Sequence, residues 1–140
     1  MKFNSVTGAG EIITNLRYRT KRVGIGVQEG LILAGHFLQA ESQRKVPVEF
    51  GLLRASAYTR VKGSLFSTEV FVGYTSAYAL YVHELVAMKL KGQPRKPSPP
   101  HIGKYWDPQG SGQAKFLEEP ARTHRSTMRA MIAARAKLYE

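Results

Sequence analysis

From Glu11 to Arg44 apolar residues return at intervals of three, four or seven, and nothing else in the chain constrains its fold as strongly. Ile13, Leu16, Val23, Val27, Leu31, Ala34 and Leu38 fall on one stripe at that spacing, which is the period of an amphipathic helix. A helix of this extent reaches roughly 50 Å at 1.5 Å per residue. Gly24, Gly26, Gly30 and Gly35 lie inside it and oppose it by about 1 kcal/mol each relative to alanine. Burial of the stripe, at about 1.5–3 kcal/mol per large aliphatic side chain, outweighs that sum. A helix is therefore expected, with a kink or break near Gly24–Gly26. The glycines are also candidates for places where another backbone comes close. Pro47 ends the helix, because the residue before a proline is pushed out of the α region.

The helix leads into a hairpin. Ala55–Lys62 and Ser67–Tyr74 read as two strands joined around "KGSL", with Tyr58, Thr59, Val61, Val70, Phe71 and Val72 supplying β-branched and aromatic character. Tyr78, Tyr81, Val82 and Leu85 then fit a short helix. "GQPRKPSPPHIG" reads as an exposed, extended, basic loop. Lys2–Thr7 and Ile102–Trp106 are candidate short extended segments. A second amphipathic helix is expected from Glu118 to Tyr139, with Pro120 tolerated in its first turn. Ala121, Met128, Met131, Ile132 and Leu138 gather on one side, and Arg135 intrudes there, pointing to fraying or to a partner near the helix end. The fold class is α+β within one domain spanning residues 1–140: a long N-terminal helix packed on a small antiparallel sheet, plus a C-terminal amphipathic helix.

Function classes are narrowed mainly by charge. The 140 residues carry 21 Lys+Arg against 10 Asp+Glu, a formal charge of +11, which points to nucleic acid or to acidic protein surfaces as partners. No cysteine is present, so disulfides and thiolate ligands are excluded. Apolar runs such as "GLILAG" are too short to span a bilayer, and "MKFNSVTG" lacks the apolar stretch of a secretory leader.

No enzyme chemistry emerges from spacing. "GIGVQEG" contains Gly-x-Gly, but it sits inside a helical period, and Glu29 stands where a dinucleotide fingerprint needs its third glycine. His36, His83, His101 and His124 are scattered without metal-ligand spacing. His83–Glu84 is an adjacent pair whose members face different directions on a helix. The expectation is a non-enzyme without cofactor or metal. Two basic stretches stand out instead. Arg122, Arg125 and Arg129 form a stripe on the C-terminal helix, and Lys89, Lys91, Arg95 and Lys96 mark the loop. Each is either an ordinary solvated surface or a set of positioning contacts to phosphates.

Two motifs carry a family likeness. In "PVEFGLLRASAYTRVKG", Pro47, Val48, Glu49, Gly51, Leu53, Arg54 and Ser56 follow the long helix. In "VFVGYTSAYALYVHE", Val70, Val72, Gly73, Tyr78, Ala79, Tyr81 and Val82 follow the hairpin. Together with "KFLEEPA" (residues 115–121), they resemble the head–tail joining, or tail-completion, family of tailed bacteriophages. Phe50 departs from the family's small hydroxyl residue before Gly51, and "HELV" departs from its usual acidic-aromatic-Gly-Thr ending.

The resemblance implies a structural virion protein assembled in the host cytoplasm. It would form a hexameric or dodecameric ring in the neck, between a head-side connector or stopper and the tail terminator or tail tube. Packaged DNA would pass through, touched by non-specific electrostatic contact at the Arg122/Arg125/Arg129 face or the Lys89–Lys96 loop. Tail terminator or minor head protein are alternative stations, and a basic nucleic-acid-binding domain unrelated to virions is an alternative class. On the family pattern Gly51 permits a tight turn, Leu53 anchors it in the core, and Arg54 clamps within the subunit or toward a neighbour. Gly73, Tyr78 and Tyr81 complete the motif.

Overall fold

The computed structural model describes residues 8–48, 51–86 and 112–139. Its spine is α1, Ala9–Lys45, an unbroken helix of 37 residues. The chain enters it through Gly8 in the left-handed region (φ 105°) and leaves it at Val46, which is extended ahead of Pro47. Glu11 in the first turn and Arg44 and Lys45 in the last complement the helix dipole. No break occurs at Gly24–Gly26.

The glycines serve close packing instead. An added Cβ at Gly26 would stand 2.7 Å from the carbonyl oxygen of Arg135, and one at Gly30 would stand 2.7 Å from the Cα of Ile132. Both belong to the C-terminal helix, which therefore lies backbone to backbone on the spine. That helix is not continuous. Its first six residues form α4, Glu118–Thr123, and after an interruption at His124 (φ −96°, ψ 14°) the chain resumes as α5, Arg125–Lys137. α5 runs antiparallel to α1: His124 meets the Phe37 ring edge-on at 5.4 Å, Ile132 meets Gly30, and Tyr139 donates a 2.8 Å hydrogen bond to Glu29. Arg135, expected to intrude on an apolar face, lays its Cβ against Gly30 and its guanidinium 3.9 Å from Glu29. Leu138 was expected inside and is 69% exposed: at the helix end it is Ala136 and Tyr139 that turn toward Gly26 of α1.

The hairpin covers a different face of the spine. β1, Ala57–Lys62, pairs antiparallel with β2, Glu69–Tyr74, from Ala57↔Tyr74 to Lys62↔Glu69. The strands start later than the sequence suggested, since Ala55 ends a one-turn helix, α2 (Leu52–Ala55), and residues 63–68 form the connection. Thr59 donates to Gln39 (2.6 Å), and the Tyr74 and Ser42 hydroxyls lie 2.6 Å apart, which fixes the base of the hairpin on the C-terminal half of α1. Its far end reaches Gly24, where an added Cβ would come within 2.9 Å of the Phe66 ring. At about 100° per residue, the hairpin-facing Gly24 and Gly35 lie roughly 120–180° around the helix from the α5-facing Gly26 and Gly30.

The closed core sits at the C-terminal end of α1. Val46, Leu53, Ala79 and Phe116 form it, with Tyr74, Val82 and Leu117 packed around them. Ala79 opens α3, Ala79–Glu84, and Phe116 presents its ring to the edges of Tyr74 (5.1 Å) and His83 (5.0 Å). The architecture is α+β: a long helix packed on a two-stranded antiparallel sheet, with a C-terminal helix alongside. Among the described residues no helix is long and apolar enough to cross a membrane.

The opposite end of the spine is bare. The stripe predicted to be buried continues to Ile13 and Leu16, but these are 49% and 59% exposed. The period places them on the hairpin-facing side, but of the hairpin only the tip, Leu65 and Phe66, comes beside them. Ala9–Lys21 thus project as an arm with every residue exposed.

Candidate interaction surfaces

The motif that follows α1 builds a corner. Gly51 adopts φ 78°, a left-handed conformation that costs glycine nothing, and its carbonyl accepts from Ala55 at 2.9 Å to close α2. This turn drives Leu53, 4% exposed, into the core, while the buried Pro47 follows Val46 on the other side. Gln43 donates to the Arg54 carbonyl at 2.9 Å, tying α2 to α1. Ser56 ties it to the chain leaving β2: its carbonyl accepts from the Thr75 amide at 3.0 Å and its hydroxyl from the Ser76 amide at 3.3 Å. On β2, Gly73 lies under the Tyr58 side chain, where an added Cβ would come within 2.9 Å of the hydroxyl.

Arg54 is the unpaired member of this corner. Its side chain is half-buried, its Nε has no hydrogen-bond partner, and it makes no ion pair among the described residues. Its charge is felt at Tyr74. Burial raises the pKa of that phenol, while the Ser42 hydrogen bond and the Arg54 charge pull it back. Tyr78 and Tyr81 flank the buried Ala79 but point outward, 46% and 67% exposed, beside Leu80 at 73% and with Leu52 at 66% nearby on α2. The motif thus joins a sealed inner side to an apolar, aromatic outer side.

Next to the corner, a polar network fastens α3 to the segment before α4. Lys115, held at φ 55°, donates to Glu84 at 2.5 Å and lies 3.2 Å from Glu118. The Glu84 carboxyl is held below its usual value, first by the Lys115 hydrogen bond and then by that of His83. Lys115 is correspondingly raised, chiefly by Glu84. These groups neutralise one another and have the character of a fastening.

The basic residues singled out from the sequence divide. Arg122 is exposed and paired to Glu118 at 2.6 Å, one turn away on α4. Arg125 and Arg129 lie exposed on α5, with no ion pair among the described residues. The interruption at His124 means that the three do not ride one continuous helix. Lys89, Lys91, Arg95 and Lys96 lie outside the described residues, as do the segments Lys2–Thr7 and Ile102–Trp106.

A third basic group was missed. Arg17, Arg19 and Lys21 lie on the α1 arm and the half-buried Arg22 at its root, and none has an ion pair among the described residues. The signal was available: after Glu11 no acidic residue occurs until Glu29. It was masked by the apolar stripe running through the same stretch. Beside the arm, Val23, Val27, Leu31, Leu65 and Phe66 line an open apolar cleft of about 550 Å³.

No family model, no curated protein and no solved structure matches the chain.

Proposed function

We propose that the chain is a structural subunit of a ring at the head–tail junction of a tailed bacteriophage, standing between a head-side connector or stopper and the tail. The observation that carries this reading is where the apolar side chains lie. Among the described residues the buried aliphatic and aromatic side chains are few: Ala34, Val46, Leu53, Ala79 and Phe116. Large apolar residues are exposed at both ends of the spine: Ile12, Ile13, Leu16 and Phe66 at one, Leu52, Leu80, Tyr81 and Val86 at the other. Scattered exposed hydrophobics are ordinary, but grouped ones mark surfaces that other proteins cover. Two unlike patches at opposite ends suit head-to-tail contact, which closes into a ring when the rotation between neighbours permits. The corner motif supports the same reading. Its inner side is complete, and the half-buried Arg54 is left for a carboxylate or carbonyl of a neighbour.

Negative-stain imaging and light scattering of the purified chain test the proposal, with closed rings expected and Arg54→Ala expected to weaken them. A chain that stays monomeric at all concentrations while binding DNA in a salt-sensitive way would overturn the ring and favour a basic nucleic-acid-binding domain. Intact particles in which this chain is missing from the portal-to-tail junction would overturn the virion assignment.

A further inference from the structure

We infer that the arm of α1 is a contact surface for the phosphate backbone of duplex DNA, carried by Arg17, Arg19, Lys21 and Arg22. The inference rests on the neck reading for its biological setting and on the arm's own geometry for its chemistry. Viewed down α1 at about 100° per residue, Ile12, Ile13 and Leu16 occupy one side. Arg17 and Lys21, one turn apart, occupy the flank next to Ile13, with Arg17 about 40° from it. Arg19 and Arg22 occupy the flank next to Ile12, and Tyr18 lies between the two pairs on the side away from the apolar residues. Arg22 rests over the Tyr18 ring, 5.8 Å from its centroid. Glu11, the one acid of this stretch, sits in the first turn of the helix, about two turns before Tyr18.

Two features select a nucleic acid over an acidic protein surface. The cations stand on both flanks of the helix, so one flat surface meets only one pair. A major groove about 12 Å wide admits a helix of about 10–12 Å and offers a phosphate ridge to each flank. Three of the four cations are arginines, whose planar forks suit phosphate oxygens and do not lose their charge. The arm also projects beyond α5, whose Tyr139 reaches Gly26, and of the hairpin only the tip, Leu65 and Phe66, comes beside it. The contact carries no base readout, because phosphate contacts position without specifying sequence.

Fluorescence anisotropy with a labelled duplex about three helical turns long tests this on the full chain. Four phosphate contacts predict that affinity falls by about 100-fold between 50 and 200 mM salt on their account alone. In R17Q/R19Q/K21Q/R22Q the slope of log affinity against log salt should become shallower by about 3–4. R17Q/K21Q alone should remove about half of that change, and R125Q/R129Q should leave the slope near wild type. Circular dichroism confirms that each variant keeps its helix. An unchanged slope in the fourfold variant overturns the inference. So does displacement of the duplex by polyglutamate as readily as by unlabelled DNA, which would assign the arm to an acidic protein. Mass measurements on the same samples separate the two proposals. The expected slopes from a chain that never forms rings would sink the ring and keep the arm, and rings with an unchanged slope would do the reverse.

Discussion

The two ends of α1 share one helical period and have opposite fates. At the C-terminal end, Val46, Leu53, Ala79 and Phe116 close against one another, and Ser42 and Tyr74 bridge helix to sheet at 2.6 Å. At the N-terminal end, Ile13 and Leu16 continue the same stripe and meet nothing among the described residues beyond the tip of the hairpin. The period of a helix states which side wants to be dry. It does not state what will dry it, and here the chain supplies a cover for only part of the stripe.

The largest expected effect lies at the closed end. Phe116→Ala removes the largest fully buried side chain among the described residues and should cost about 3–5 kcal/mol in chemical denaturation, a large share of the roughly 5–15 kcal/mol that holds a domain folded. A loss below about 1 kcal/mol would show that the closed end is not where stability resides.

Next comes the contact between α1 and α5. Gly30→Val adds side-chain atoms where even a Cβ stands 2.7 Å from the Ile132 Cα. The helices must part, at a cost of about 1–3 kcal/mol or more read from thermal melts. An unchanged melt would mean that α5 is not held there.

A smaller effect is expected at the fastening beside the corner. Because the Glu84 carboxyl is lowered in the folded chain, its contribution to stability is complete above the ordinary carboxylate range and is lost as pH falls through its folded value. Carboxyl NMR titration of Lys115→Met should show the Glu84 midpoint rising toward the ordinary value. A midpoint that stays put would remove Lys115 as the main cause.

The smallest effect on stability should come from the bare end. Leu16→Ser is expected to change unfolding free energy by no more than about 0.5 kcal/mol while reducing assembly seen by light scattering. A loss of several kcal/mol would erase the contrast between the two ends, because it would show Leu16 to be covered within its own chain.

Much of this was legible in the sequence, for reasons that differ by element. The spine followed from its period, and the glycines were suspected as points of close approach, which Gly26 and Gly30 are. The hairpin followed from β-branched and aromatic residues, but α2 did not, because a single turn is too short to show periodicity and Gly51 acts through backbone angle alone. The interruption at His124 was hidden because the apolar period runs across it, with Ala121 and Met128 seven residues apart. Arg122 looked like part of a stripe until its partner, Glu118, came into view one turn away. The basic arm was missed because an apolar pattern and a charge pattern share the same residues, and only the position of the covering elements tells which one faces outward.

The clasp between α1 and α5 has a consequence for how the chain is made. Glu29 and the tyrosine that bonds to it stand 110 residues apart, so at a synthesis rate of about 5–20 residues per second the spine waits roughly 5–20 s for its companion. Throughout that interval the notch at Gly26 and Gly30 is open to any other backbone narrow enough to enter. Until translation has passed Tyr139, a nascent copy is a helix with a vacant seat, and a ribosome queue that crowds such copies together is where mispairing would begin.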